Sequence, residues 1–411
     1  MNLYIFNETR RGAVYGVGTY IRELTIALKN TDLHVCVINL NSDKPQIQVD
    51  EIDGVRHWFF PAPIPELRSI DIQKQWDIYF RNVVYILRLH IKDKKDLIFH
   101  LNYHQSGVLV DELKKTFDCK IISVVHYADW GFTIYDNLPR LRAILSKQHL
   151  DDFEEGVKKS IDKEKAYYSK VDHVICLSSY MQEVLCSDYQ LNSIKITVIP
   201  NGLANTNSVD IKTDKKKLRH KWNFLPNEKI ILFAGRMDAI KGLDFLLRAF
   251  NEVLKNEPRC RLIIAGSGSF EEYMKESLNI CTRITYTGFL DRVMLNQLYQ
   301  IANVGVVPSL YEPFGYVAVE MMMHGLPIVT TITSGLNEVV DRTCGLKVPL
   351  IILPNKVEMD TTVLSEKIIF LLQNSRTAKK MGQNGLKRYL EKYSAEIFRN
   401  NMIHFYQSLY S

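Results

Sequence analysis

Residues 229–250 read KIILFAGRMDAIKGLDFLLRAF. An apolar run ends at Gly235, Arg236 and Lys241 follow in one short loop, and a helix begins at Gly242. A strand this apolar is one covered on both faces, which is the condition of a parallel sheet layered with helices. Outward from this stretch the same rhythm continues. KIILFAG, RLIIAG, ITYTG, VGVVPS and LPIVTT have the character of strands in the second half, and MNLYIF, HVCVINL, LIFHL, KIISVVH, HVICLS and ITVIP in the first. Helix-like segments such as TYIRELTIALKN and SYMQEVLCS lie between them. The expected class is α/β, with two doubly wound, Rossmann-like sheets.

A chain of 411 residues is too long for one hydrophobic core. The polar stretch 201–229 holds no strand and has a lysine-rich middle, so the boundary is placed there: 1–203 and 204–394, with a final amphipathic helix at about 395–411 packing back on the first domain. The lysine run is read as a solvated face. With 46% hydrophobic and 24% charged residues, the composition is that of an ordinary globular protein. No apolar run is long enough to span a membrane, and the N-terminal one is too short for a signal peptide. Seven scattered cysteines without C-x-x-C spacing suit reduced thiols and a cytoplasmic protein. A net charge of +6 suits an anionic substrate or peripheral contact with the inner face of a membrane, and it is no sign of nucleic-acid binding.

Ligands of doubly wound sheets bind beyond the carboxyl ends of the strands. At the first such end, Gly16 and Gly18 precede a helix whose N-terminus favours an anion, although a glycine turn that only joins strand to helix looks the same. Arg236 and Lys241 are two cations able to hold a diphosphate, one as a fork and one as a point charge. RLIIAGSGSF carries only G-x-G and fails as a dinucleotide fingerprint. In SLYEPFGYVAVEMMMHGLPI (309–328), Glu312 precedes a proline and belongs in a loop, while Glu320 belongs inside the helix that follows Gly315 and stops near Gly325. Their spacing corresponds to roughly 10–12 Å along a helix axis, about the span from a sugar ring across a diphosphate to a ribose. The free N–H groups near Gly315–Val317 would face the phosphates.

GRMDAIKG, SLYEPFGYVAVEMMMHGLPIV and SGLNEVV, in that order, resemble the family-4 retaining glycosyltransferases of GT-B fold, and YGVGTYIREL, VVHYADW, KVDHVICLSSYMQEVL and ITVIPNG have looser counterparts there. The resemblance implies two Rossmann-like domains facing across a cleft. It implies that Glu320 binds the ribose of a nucleotide sugar and that Glu312 holds the transferred sugar, with the backbone at Phe314, Gly315, Tyr316 and Val317. Arg236 and Lys241 would neutralise the departing diphosphate, and Gly16 would contact it from the first domain. His126 matches a histidine beside the reacting sugar, and the base would lie against Gly288, Phe289 and Leu290. Here Tyr15 replaces one of the family's paired glycines, and Tyr127 replaces the aspartate that usually follows the histidine, with Asp129 two further on. His100, His104, Asp129 and Trp130 are candidates for the acceptor side.

No Asp-x-Asp and no His/Cys cluster occurs in the chain, so the expectation is a metal-independent hexosyltransferase without a cofactor. Its donor would be a nucleoside diphosphate sugar, with UDP favoured over GDP. The acceptor is a hydroxyl of a lipid-linked, polysaccharide, peptide or small molecule. Glu312 and Glu320 are too far apart for the two-carboxylate retaining mechanism, which needs about 5 Å, and they are read as binding groups. A nucleotide-sugar epimerase and a catalytically idle nucleotide-sugar binder are the competing readings.

Overall fold

A computed structural model describes residues 1–8, 16–63, 72–92, 95–102, 106–205 and 214–410. The chain forms two compact units, Met1–Ala128 with Leu150–Gly202 and Ala395–Ser411, and Asp129–His149 with Leu203–Ser394.

The first unit is built on eight strands: β1 (Asn2–Glu8), β2 (His34–Ser42), β3 (Gln48–Ile52), β4 (Val55–Pro61), β5 (Leu97–Leu101), β6 (Cys119–Val125), β7 (His173–Cys176) and β8 (Ile196–Val198). They lie in the order β3-β4-β2-β1-β5-β6-β7-β8, parallel except for the hairpin pair β3 and β4. β5 is buried at all five positions, as a central strand covered on both faces must be. The direction of winding reverses between β1 and β5, which makes their carboxyl ends the crevice of this sheet. The last helix, Ala395–Ser408, packs in this unit through Phe398, Met402, Phe405 and Tyr406.

The second unit carries six parallel strands, β9 (Lys229–Ala234), β10 (Cys260–Ala265), β11 (Ile284–Gly288), β12 (Val304–Val307), β13 (Ile328–Thr331) and β14 (Gly345–Val348). Their order, β11-β10-β9-β12-β13-β14, is the 3-2-1-4-5-6 arrangement of a dinucleotide-type fold, with its switch point between β9 and β12. A small antiparallel pair, β15 (Leu350–Ile352) and β16 (Val357–Met359), follows. The core combines β9, β10 and β12 with the apolar faces of Leu243–Asn256 and Thr361–Gln373.

One assignment differs from the sequence expectation. Residues 129–149 belong to the second unit, not to the first. Gly131 lies against the Tyr311 ring so closely that a Cβ there would fall 2.3 Å from it, Phe132 meets the same ring edge-on, and Asn137 Nδ2 donates to the Leu353 carbonyl at 2.7 Å. The lysine run opens the helix Lys215–Lys221, whose three lysines at 215–217 are exposed while Leu218 is its buried anchor.

Candidate active site

The loops after β9 and β12 carry the charged residues, and these are the two strands that flank the switch point. Backbone contact brings the loops together. Leu310 N donates to the Ile240 carbonyl at 2.8 Å, and Gly242 lies so close to the neighbouring chain that a Cβ would sit 2.0 Å from the Pro308 oxygen. Gly242 is also in the left-handed region, at φ 65°, so two independent constraints require glycine there. The result is that Lys241 Nζ donates to Glu312 Oε2 at 2.6 Å, with the two side chains only 19% and 17% exposed. Ser309 Oγ donates to the same oxygen at 3.3 Å. Arg236, in the first part of the loop, pairs with Asp238 at 3.1 Å.

The Glu312 loop is held from a third side. Glu312 N donates to Ser334 Oγ at 3.2 Å, and Leu336 N donates to the Glu312 carbonyl at 3.1 Å. Asp136 Oδ2 in turn accepts from Thr333 Oγ1 and Ser334 N, at 3.2 and 3.1 Å. A glycine opens the helix Tyr316–Met323: Gly315, at φ 99°, turns the chain from the loop into the helix. The first turn has no acidic residue, so its N-terminal dipole is not offset from within the helix. Phe314 is buried, and Tyr316 and Val317 are half-buried. Glu320 lies one turn further in and accepts a 2.6 Å hydrogen bond from the Tyr299 hydroxyl. Gly288 and Phe289 are exposed at the end of β11, and Leu290 is half-buried. The G-x-G after β10 joins loop to loop, with Met237 N donating to Ser267 O and Ser269 N to Met237 O.

In the first unit, His126 follows β6 and Asn102 follows β5. Asn102 Nδ2 donates to the Phe6 carbonyl at 3.0 Å, which turns its Oδ1 toward His126 Nε2 at 2.9 Å. Since the Phe6 carbonyl can only accept, this amide orientation makes His126 an Nε2–H donor and leaves Nδ1 as the acceptor. Burial, with a smaller push from His100, lowers the imidazole to about 3. Gly16 begins the helix Gly16–Leu28 and is exposed. Among the described residues no group of His, Cys, Asp and Glu is arranged to hold a metal, and no helix is long and apolar enough to cross a membrane.

The second unit matches the family description "Glycosyl transferases group 1" over residues 214–388, and residues 14–204 match "Glycosyltransferase Family 4". The chain belongs to the family-4 glycosyltransferases. An uncharacterized glycosyltransferase of Methanocaldococcus jannaschii is 36% identical over 41% of this chain and 44% of that protein, so the chain spans less than half the length of this relative. Among solved structures, the sucrose-phosphate synthase of Thermosynechococcus elongatus has a TM-score of 0.76 at 23% identity over 99% of both chains. Anabaena HepE, solved with UDP-glucose, has a TM-score of 0.71 at 16% identity over 98% of this chain and 99% of that one. These likenesses show the GT-B fold.

Within this family-4 chain, one expected acceptor-side residue is corrected. His100 is wholly buried in β5, with one ring nitrogen 3.2 Å from the Tyr20 hydroxyl and the other 2.8 Å from the Tyr406 hydroxyl; it is a core residue. Trp130 is buried and Asp129 exposed, and both belong to the second unit instead of the first. His104 lies outside the described residues. Asn102, Asp136, Tyr299 and Ser334 were not singled out from sequence. Only Ser334 had a signal, as the first residue of SGLNEVV.

Proposed function

We propose that the chain is a retaining, metal-independent glycosyltransferase that moves a hexose-type sugar from a nucleoside diphosphate sugar to a hydroxyl acceptor. The observation that carries this reading is the Lys241–Glu312 pair at the switch point of the second sheet, beside the N-terminus of Tyr316–Met323. A cation, a helix N-terminus and a sugar-binding carboxylate then meet where a diphosphate sugar needs all three. In the reaction the bond between the anomeric carbon and the phosphate oxygen breaks, and its electron pair leaves with the diphosphate. The acceptor oxygen bonds to the same face of that carbon, and its proton passes to the departing phosphate. Lys241 and Arg236 stabilise the charge that develops on the leaving group, the work a divalent metal does in other transferases. Glu312 holds sugar hydroxyls, Glu320 the ribose, and the backbone at Gly288–Leu290 the base. His126, held neutral, offers Nδ1 to a hydroxyl and is too weak a base to take the acceptor's proton. A uridine nucleotide is favoured by the structural neighbour solved with UDP-glucose.

The test is a calorimetric titration of chelator-treated protein with UDP, GDP, ADP and dTDP, then with their sugars. One diphosphate should bind without added metal, bind more tightly as its sugar, and be weakened in Glu320→Ala. Binding or transfer that appears only when Mg²⁺ or Mn²⁺ is restored would overturn the metal-independent part, and conversion of the sugar with no acceptor present would favour an epimerase.

A further inference from the structure

We propose that Tyr299 is a positioning residue for Glu320, its buried hydroxyl holding the carboxylate in the one orientation that accepts ribose hydroxyls. The inference rests on the reading of Glu320 as the ribose-binding group.

Tyr299 lies near the end of the helix Arg292–Ile301, and Glu320 lies on Tyr316–Met323. The tyrosine is 1% exposed, and its hydroxyl donates to Glu320 Oε2 at 2.6 Å. That length is typical of a charge-assisted O–H···O⁻ bond. Burial and the adjacent Glu320 charge both push the phenol well above its usual range, so the proton stays on Tyr299 and the carboxylate always receives it. A second contact steadies the pair. His324, one turn after Glu320, places Nδ1 2.8 Å from the Glu320 carbonyl, and its ring centroid is 5.2 Å from that of Tyr299.

Packing alone does not account for a hydroxyl at this position. Phenylalanine would fill the same space, and a buried phenol is costly unless its O–H finds a partner. A half-buried glutamate held by fewer contacts samples more rotamers and has to be ordered further when a ligand arrives. With Oε2 fixed by Tyr299, the carboxylate is set in advance, and its remaining lone pairs keep one direction. Pre-ordering of this kind increases affinity for the hydroxyls it faces and leaves the phosphate contacts unchanged. The signature is therefore ribose discrimination, not nucleotide affinity in general.

The experiment compares affinities for UDP, GDP and ADP with those for their 2′-deoxy counterparts in the wild type, Tyr299→Phe, Glu320→Ala and the double variant, with melting curves confirming that each is folded. In the wild type the ribose form should bind about tenfold or more tightly than the deoxy form, as expected for a hydrogen bond to a charged group. Tyr299→Phe should lower that ratio by roughly three- to tenfold, and should change nothing further when Glu320 is already alanine. A ratio unchanged by Tyr299→Phe but lost in Glu320→Ala would overturn the positioning role and leave the ribose assignment standing. Equal affinity of ribose and deoxy forms in the wild type would overturn both, as would binding of none of the three. If Tyr299→Phe melts early, Tyr299→Met and the Glu320→Ala background decide. A ratio loss as large with Glu320 absent as with it present would mean that Tyr299 acts through packing.

Discussion

Lys241 and Glu312 are paired with each other, and this shapes what their substitutions do. Glu312→Ala removes the carboxylate proposed to hold the sugar and leaves an ammonium that is 19% exposed, enough for water to reach it. The expected outcome is a loss of transfer of at least about 100-fold, with nucleoside diphosphate affinity within about threefold of wild type. Parallel transfer assays and calorimetry measure the split. Weakened nucleotide binding with transfer intact would contradict the assignment of Glu312 to the sugar. The places of these residues and of Glu320 in the fold are legible in sequence because the signals are local: a carboxylate before proline, a cation after a strand, a glutamate inside a helix. His100 was misjudged for a physical reason. It is in the middle of a buried strand, and its two tyrosine partners lie 80 and 306 residues away. A histidine satisfied in this way has the same sequence appearance as one that faces a ligand.

At the scale of elements, the site depends on two loops whose backbones touch. Gly242→Ala forces a side chain into left-handed backbone, a cost of about 1–2 kcal/mol, and puts a methyl group against the Pro308 carbonyl. The loop after β9 has to move away from the loop after β12, taking Lys241 from Glu312. Thermal melting should fall by several degrees, roughly 2–8 °C, and diphosphate binding should weaken with it; an unchanged melting temperature together with unchanged affinity would show that the loops tolerate separation. The strands before these loops are readable because each is a short run that is apolar throughout, apart from Lys229 at the start of β9. β3, β4 and β14 were not. β3 is largely exposed in its hairpin with β4, and β14 is four residues long with half-buried Leu346 and Lys347 in the middle, so none has the unbroken apolar signal of a central strand. Pairing with a neighbour makes them strands, and pairing is not a local property.

For the whole molecule, five buried or half-buried histidines fix a direction of pH dependence. His57, His100, His126, His173 and His324 all have their pKa lowered, in each case first by burial, with His100 and His126 held at about 3. The unfolded chain binds these protons below about 6.5 and the folded chain does not. Stability is therefore highest above that value and falls as the pH is lowered towards 3, by up to about 1.4 kcal/mol per pH unit for each fully buried histidine. The interval from pH 6.5 to 5.5 isolates the effect, since most carboxylates titrate lower. A denaturation midpoint that stays flat across it would show that these imidazoles take up protons without unfolding.

The sequence by itself determined the α/β class, the family, and the charged positions at the strand ends, because hydrophobic periodicity and short motifs are written in neighbouring residues. The tertiary structure alone decided which of those positions meet. It joined Lys241 to Glu312 across 71 residues and pinned the Glu312 loop by Asp136 through a segment, 129–149, that the chain order had given to the other unit. It also set Tyr299 behind Glu320 and Asn102 beside His126. The reason is the same in each case: these contacts join loops or helices that follow different strands, and strand order, which brings those segments together, is settled by packing of the whole sheet.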